Sequence, residues 1–98
     1  MTYTYVLMSE LDGEWYTGTA GDLRLRVKQH AEGRVRSTAS RRPFRLIYYE
    51  ACLERTDAYR RERFLKSGKG KRFMLDGKGT PTVERKHIIS IGRTIPVS

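Results

Sequence analysis

The sequence predicts an α+β domain in which helices flank a small three-stranded antiparallel sheet, in the order β-β-α-β-α-α. Two runs rich in β-branched and aromatic residues are joined by an Asp-Gly turn, which indicates a hairpin. A third apolar run follows a segment of helical spacing and precedes another. Short antiparallel strands covered by helices form an α+β layer, and 98 residues suit one compact domain.

The first two strands are predicted at residues 2–9 and 14–19. The run TYTYVLMS at 2–9 has the residue types that favour a pleated, half-buried surface. Asp12-Gly13 has the usual chemistry of a hairpin turn, so the chain is expected to return antiparallel to the first strand.

The first helix is expected to begin after Asp22, whose carboxylate can accept hydrogen bonds from free N–H groups of the first turn. Leu23, Val27 and His30 follow at helical spacing. Gly33 is a typical residue for the end of such a helix.

A basic loop at residues 34–42 leads into the third strand, predicted at residues 44–51 (FRLIYYEA). Apolar side chains occur at both odd and even positions of this run. A strand covered on both faces has that pattern, so we expect it to be the central strand.

The second helix is expected to be capped by Thr56 and Asp57 and to continue to about Lys66. Residues 67–70 (SGKG) interrupt it, and residues 71–75 are predicted to add a short further helix. The SGKGK run lacks the full phosphate-loop pattern, so we interpret it as a helix terminus.

The domain is predicted to occupy residues 1–75 and to be followed by a tail at residues 76–98. Gly77, Gly79 and Pro81 are typical of a linker. Residues 83–91 are compatible with an extra strand, with a loose segment, or with an edge strand added to a neighbouring chain.

Charge is the clearest global signal of function. Twenty Lys and Arg residues stand against 11 Asp and Glu, which gives a net charge of +9 and a pI of about 10.1. Such an excess favours a polyanionic partner, which can be DNA or RNA, as in a ribosome-associated domain. No apolar run is long enough to span a bilayer, and the basic residues do not form one amphipathic helix, so no membrane partner is expected.

Cysteine and histidine usage argues against an internal disulfide and against a zinc site. Cys52 is the one cysteine, so the chain has no internal disulfide, and a reducing, cytoplasmic location is expected. His30 and His87 lack companions at zinc-ligand spacing, which argues against a zinc site.

Tyr5 and Tyr16 lie on the two strands of the predicted hairpin and are expected to stand at similar height. If the register puts them on one face, their phenols converge on one spot. The alternative is that both are ordinary strand aromatics.

Arg26 and Glu62 are charged residues at the edge of predicted buried helix faces. A half-buried Arg26 needs an acidic or phosphate partner, unless its side chain extends past the core to water. Glu62 can hold a metal ion or pair with Lys66 four residues later. One carboxylate suffices for Mg²⁺, which keeps several of its waters.

Taken in order, these residues resemble the motifs of the GIY-YIG nuclease superfamily, in particular short single-domain bacterial members akin to the nuclease module of the bacterial excinuclease. Tyr3-Thr4-Tyr5 stands at the GIY position and Tyr16-Thr17-Gly18 at the YIG position. Residues 22–30, 42–50 and 58–70 match the first helix, the third strand and the second helix. The first motif lacks its Gly and Ile, and the chain contains no Asn to match the downstream Asn of larger members.

The resemblance implies a metal-dependent DNA endonuclease with a one-metal site. Tyr5 is then expected to help activate water, directly or through a proton relay, with Tyr16 orienting it. Arg26 would stabilise charge on the phosphate, His30 completes the catalytic set, and Glu62 would bind one Mg²⁺ or Mn²⁺. The residues expected to contact DNA phosphates are Arg24, Lys28, Arg34, Arg36, Arg41, Arg42, Lys66, Lys69 and Lys71.

Two further expectations accompany this function. The chain is expected to be a monomer or weak dimer. Its sequence specificity is expected to be weak unless a partner or dimer adds to it, because so small a surface leaves little area for base readout. The alternative function is a module of the same fold that binds nucleic acid without cutting it.

Overall fold

The computed structural model describes residues 1–75, 88–92 and 95–97. A short 3₁₀ turn at Ala39–Arg41 precedes the third strand. The elements in chain order are β1 (Thr2–Ser9), β2 (Trp15–Ala20), α1 (Leu23–Ala31), β3 (Phe44–Cys52), α2 (Arg55–Lys66), α3 (Gly68–Leu75), β4 (Ile88–Gly92) and β5 (Ile95–Val97). The predicted α+β class and the β-β-α-β-α-α order are confirmed.

The sheet is antiparallel and has the strand order β2-β1-β3-β4, with β5 also paired to β3. The predicted three strands therefore form its first part, and β3 is central as expected. The tail contributes β4 and β5, and both pair with β3 of the same chain. The expected linker and residues 83–87 lie outside the described residues.

Local signals end α1 as the sequence predicts. The Asp22 carboxylate accepts a hydrogen bond from the Leu25 N–H at 3.1 Å. At the other end Gly33 has a φ of 76°, and its N–H donates to His30 O while Arg34 N–H donates to Gln29 O. This pair of hydrogen bonds is the Schellman arrangement, which favours glycine because its φ is positive.

The predicted cap of α2 is wrong. The helix begins at Arg55, so Thr56 and Asp57 lie inside its first turn, and Glu54 at the cap position makes no side-chain hydrogen bond. Asp57 instead lies 3.7 Å from Arg60, one turn later. The sheet holds this end of the helix, because the Thr4 hydroxyl donates to Ala58 O at 2.7 Å.

The interruption between α2 and α3 is shorter than predicted, because α3 begins at Gly68. The Ser67 hydroxyl accepts a hydrogen bond from Gly70 N–H at 3.2 Å. A Cβ at Gly70 would lie 2.0 Å from Phe64 O and 2.6 Å from Leu65 Cα. Glycine at this position therefore lets α3 pack against the end of α2.

A β-bulge in β3 decides which side chains face which helix. Val6 pairs with Tyr48 and Leu7 pairs with Leu46, so Ile47 is the extra residue. An extra residue moves the following side chains to the opposite face of the sheet. The bulge therefore explains why apolar residues of β3 occur at both odd and even positions.

Two clusters cover the opposite faces of the sheet. Residues of β1 and β3 pack against α1 in one cluster, which contains Tyr5, Leu7, Phe44, Leu46, Leu23 and Val27. On the other face Val6, Tyr48 and Leu65 pack together, with Trp15 and Phe64 beside them. Because neighbouring strand residues point to opposite faces, α1 and α2 lie on opposite sides of the sheet.

A buried ion pair joins α2 to β3. Arg61 donates to both carboxylate oxygens of Glu50, at 2.8 and 2.6 Å, and the Tyr48 hydroxyl donates to the same group at 2.7 Å. Glu50 is 0% exposed and Arg61 is 5% exposed. Burial keeps the pKa of the Tyr48 phenol above its usual range, so this hydroxyl remains a donor.

Cys52 is buried and free, and burial raises the pKa of its thiol to about 11. The thiol therefore stays protonated at neutral pH. Among the helices that the structure describes, none has the length and apolar character needed to cross a bilayer.

Candidate active site

The two motif tyrosines lie on the same face of the β1–β2 hairpin. Tyr5 is paired with Gly18 and Tyr16 with Leu7, so the tyrosines are diagonal neighbours, and their ring centroids are 6.3 Å apart. A Cβ at Gly18 would lie 2.7 Å from the Tyr5 hydroxyl oxygen. The missing side chain at Gly18 thus makes room for the Tyr5 phenol over β2.

A chain of buried polar groups begins at Tyr5. The Tyr5 hydroxyl lies 2.9 Å from His30 Nε2, and His30 Nδ1 lies 2.7 Å from the Thr38 hydroxyl. The Thr38 hydroxyl donates to Val35 O, so it accepts from His30, and we assign the proton to Nδ1. His30 Nε2 is then free to accept the hydrogen bond from Tyr5.

Burial keeps the hydrogen-bonded side chains of Tyr5 and His30 neutral. It raises the pKa of the Tyr5 phenol above its usual range, with nearby Tyr16 and Glu62 also raising it and Arg26 lowering it. Burial, and then the charge of Arg26, lower the pKa of His30 to about 4. Tyr5 is 1% exposed and His30 is 0% exposed, whereas Tyr16 is only half-buried. Tyr16 is therefore the tyrosine of the pair that is nearer to solvent.

Arg26 is half-buried on α1. No hydrogen bond or ion pair joins its side chain to any residue within the described part of the chain. Its charge nevertheless lowers the pKa values of both Tyr5 and His30. A half-buried cation without an acidic partner can bind an anion such as a phosphate.

Glu62 comes to the site from the other side of the sheet, because it lies on α2. Its side chain is 23% exposed and accepts a hydrogen bond from Lys66 Nζ at 2.7 Å. Glu62 also raises the pKa of Tyr5, so its charge reaches the buried phenol. The pairing with Lys66 is one of the two alternatives that the sequence leaves open.

A surface cavity of about 350 Å³ opens at the edge strand β2, between β2 and the end of α2. Its lining residues are Glu14, Trp15, Tyr16, Thr17, Leu65 and Lys66. The cavity therefore joins the more exposed tyrosine to the lysine that pairs with Glu62.

Some of the basic residues expected to contact DNA are already engaged in the structure. Arg34 lies 3.0 Å from Glu32, and Arg41 lies 3.3 Å from Asp12. Arg42 donates to Ala39 O at 2.8 Å, and its guanidinium passes so close to Gly33 that a Cβ there would lie 2.7 Å from it.

Other expected phosphate contacts are exposed. Arg24, Lys28, Arg36 and Lys69 are exposed, and the side chain of Lys71 lies outside the described part. Positions two apart on an α-helix differ by about 200°. Arg24 and Lys28 are each two positions from Arg26, so they lie on the opposite flank of α1.

Sequence reasoning did not identify Thr38 or the Glu50–Arg61 pair. Thr38 lies in a loop eight residues after His30 and belongs to no motif, so nothing in the sequence indicates its contact. Arg61 stands in a run of cations that is typical of a solvated surface. A carboxylate at an inward position of a central strand is the one signal that could have indicated its partner.

Comparison with known families decides the relationship. The model of the GIY-YIG catalytic domain matches residues 1–74. The chain belongs to the GIY-YIG family. The expectation from its motifs is confirmed, and the match ends one residue before the end of α3.

The relatives of this GIY-YIG domain include bacterial proteins of similar size. It is 38% identical over 82 residues to the UPF0213 protein BH0048 of Halalkalibacterium halodurans, covering 81% of this chain and 86% of that protein. The UPF0213 protein DP2720 of Desulfotalea psychrophila is 41% identical over 58 residues, covering 56% and 52%. The solution NMR structure of BH0048 from Bacillus halodurans has a TM-score of 0.50 and covers 83% of this chain and 89% of that one.

The family implies a divalent metal, and Glu62 is the residue here that suits one. No cluster of three or more His, Cys, Asp or Glu residues occurs among residues the structure describes. Mg²⁺ needs only one or two protein carboxylates, because water fills its other positions. The Lys66 ammonium at 2.7 Å from Glu62 already provides a cation at this carboxylate. The donor set therefore fits a single hydrated ion.

Proposed function

We propose that this GIY-YIG domain is an endonuclease that hydrolyses phosphodiester bonds of DNA with one bound Mg²⁺ or Mn²⁺. The observation that carries the proposal is the half-buried guanidinium of Arg26, which has no acidic partner among the described residues and whose charge lowers the pKa values of both Tyr5 and His30. A phosphate is the partner that this cation lacks. Its charge would stabilise the negative charge that develops on the phosphate as water attacks.

The tyrosines and His30 are proposed to move the proton of the attacking water. Tyr16 is nearer to solvent than the buried Tyr5, so Tyr16 would contact the attacking water and Tyr5 would act through Tyr16. The resemblance implies the reverse order, in which Tyr5 activates the water and Tyr16 orients it. A free phenolate of Tyr5 is not populated at neutral pH, because burial raises its pKa. Tyr5 would therefore accept a proton only while it passes its own to His30 Nε2.

Glu62 is proposed to hold the divalent ion. A bound ion would polarise the scissile phosphate, support the leaving oxygen and offset the negative charge of Glu62 that raises the pKa of Tyr5. Lys66 must then leave the Glu62 carboxylate, and its ammonium is free to contact a phosphate. The single buried thiol of Cys52 is compatible with the reducing cytoplasm, where we expect the protein to act.

Plasmid cleavage in Mg²⁺ or Mn²⁺ tests the proposal. Arg26→Ala, Tyr16→Phe and Glu62→Ala are each expected to slow cleavage about 10²-fold or more, because each removes a group that acts in the transition state. Arg45→Ala and Glu32→Ala remove the same charges at surface ion pairs elsewhere and serve as matched controls. Equal cleavage rates in the wild type and the three site variants would refute the proposed endonuclease activity.

The burial of Tyr5 favours a second candidate, a module that binds nucleic acid without cutting it. Its hydroxyl is enclosed, and general-base chemistry needs a path for the proton to water. This candidate predicts that the wild type binds DNA or RNA and leaves every substrate intact in both metals. Competition between DNA and RNA at stated salt also separates the RNA-associated alternative.

A further inference from the structure

The outer face of α2 carries a row of exposed side chains that no sequence motif indicated. Arg55, Tyr59, Arg63 and Lys66 are all exposed, and Tyr59 has 47% of its surface exposed. Their spacing of four, four and three residues places them on one side of a helix. The residues buried against the sheet, Ala58, Arg61 and Leu65, lie on a different side, on average roughly 120° around the helix axis from this row.

The charges of this row are largely available to a partner. Within residues 1–75 and the described strands of the tail, no acidic side chain pairs with Arg55 or Arg63. Arg61 by contrast is neutralised by Glu50. Arg55 and Arg63 are eight residues apart, or about 12 Å along the helix axis. One strand of DNA presents a phosphate about every 3.4 Å of duplex axis, so this length faces roughly three phosphates.

The row also leads to the candidate active site. Its last member, Lys66, pairs with Glu62 and lines the cavity beside Tyr16. The exposed cations of α1 do not lead to the candidate active site in the same way, because Arg24 and Lys28 lie on the flank of α1 that faces away from Arg26. The two helices are on opposite sides of the sheet, so one straight duplex cannot contact both outer faces at once.

We propose that the outer face of α2, defined by Arg55, Tyr59, Arg63 and Lys66, binds the phosphate backbone of DNA and leads it to the cavity at β2. The inference rests on the proposed function for the identity of its ligand. The three exposed cations and the Tyr59 hydroxyl can each donate a hydrogen bond to a phosphate oxygen, so the row suits successive phosphates of a DNA strand. An acidic protein would need the same charges, and the binding test separates it from DNA.

The test is binding of a short fluorescent duplex by the full chain in Ca²⁺ without Mg²⁺, followed by anisotropy over a range of salt. The double variant Arg55→Ala with Arg63→Ala is expected to weaken binding roughly tenfold. It should also reduce the slope of log K against log salt by about 2, because two phosphate contacts are lost. Tyr59→Ala should weaken binding with little change in slope, since it carries no charge.

The matched comparison is Arg24→Ala with Lys28→Ala, which removes the same charge from the other side of the sheet. All of these side chains are exposed, and thermal unfolding checks that each variant folds. The α2 variant must lose more affinity and more slope than the α1 variant. Equal losses, a larger loss in the α1 variant, or no binding of the duplex by the wild type would each overturn the inference.

The outcomes distinguish the inference from the proposed function. If the wild type cuts DNA and the α2 variant binds normally, the function stands and the docking face is wrong. If the wild type binds DNA through α2 but cleaves it in neither Mg²⁺ nor Mn²⁺, the inferred binding face is supported and the proposed endonuclease activity is wrong.

Discussion

The Tyr5 hydroxyl and His30 Nε2 are 2.9 Å apart, in a buried contact that joins the first strand to the first helix. The opposite ring nitrogen of His30 lies 2.7 Å from Thr38, which fixes the orientation of the imidazole. None of the three hydrogen-bonded side chains, Tyr5, His30 and Thr38, carries a charge at neutral pH, because burial favours the neutral forms of both Tyr5 and His30. The same contact therefore both packs α1 on β1 and holds the two side chains that are proposed to transfer the proton.

Stability should fall in acid because of His30. Its pKa is lowered to about 4 in the folded chain, whereas an unfolded His has a pKa of about 6.5. The unfolded state therefore gains a proton first, and stability is lost as the pH falls from about 6.5 to about 4, by up to about 3 kcal/mol. Urea unfolding at a series of pH values measures this loss. His30→Gln should flatten the profile in that window, and an unchanged profile would contradict the assignment.

Cleavage should depend on pH in a related way. A protonated His30 cannot accept the proton of Tyr5, so the relay stops only when the pH approaches about 4. We expect the cleavage rate of the folded protein to show no titration of His30 near 6.5. A limb near pH 6.5 in the cleavage rate of the wild type would contradict this expectation.

Gly18→Ala should displace the Tyr5 phenol. The new methyl would lie 2.7 Å from the hydroxyl oxygen and 2.9 Å from Cζ of a ring that is fully enclosed. Overpacking of this kind costs about 1 to 3 kcal/mol. Thermal unfolding and plasmid cleavage should both show the loss. Gly21→Ala is the matched control, because a Cβ at Gly21 has no atom within 4 Å; equal effects at both glycines would contradict the prediction.

Glu50→Ala should destabilise the fold far more than an exposed acid does. It leaves Arg61 buried without its carboxylate and removes the acceptor of Tyr48, which costs about 3 to 5 kcal/mol for a buried pair. Glu32→Ala breaks only the exposed pair with Arg34 and should cost at most about 1 kcal/mol. Chemical denaturation measures both values. Similar small losses would mean that Arg61 reaches water when Glu50 is absent.

Lys66→Ala should improve metal binding at Glu62 in the absence of DNA. The lysine occupies the carboxylate at 2.7 Å, and an exposed pair of this spacing is worth about 0.3 to 0.5 kcal/mol, so Mn²⁺ affinity should rise roughly twofold. Calorimetric titration with Mn²⁺ measures this. Lys69→Ala removes a nearby exposed charge with no such contact and should change the affinity less. Weaker metal binding in Lys66→Ala would show that the lysine supports the site instead of competing for it.

Residues close to one another along the chain determined the parts that the sequence predicted well. The hairpin follows from Gly13, whose φ is 76° in the turn, and α1 is bounded by the Asp22 cap and by Gly33. These signals act over three or four residues, so they have the same meaning before and after the chain folds. The position of Glu62 on a helix that ends at Lys66 was predictable for the same reason.

The folded chain alone decided which side chains meet. One extra residue in β3, Ile47, turns Glu50 towards α2 and thus places it under Arg61, a consequence that no local pattern contains. Tyr5 and His30 are 25 residues apart, and the burial that makes both neutral comes from packing of α1 on the sheet. Sequence periodicity gives the face of an element but not its neighbour, because contacts between distant residues depend on register and on how the elements pack. The tertiary structure therefore brought the charge of Arg26 to bear on Tyr5 and His30 and left Arg26 without an acidic partner among the described residues.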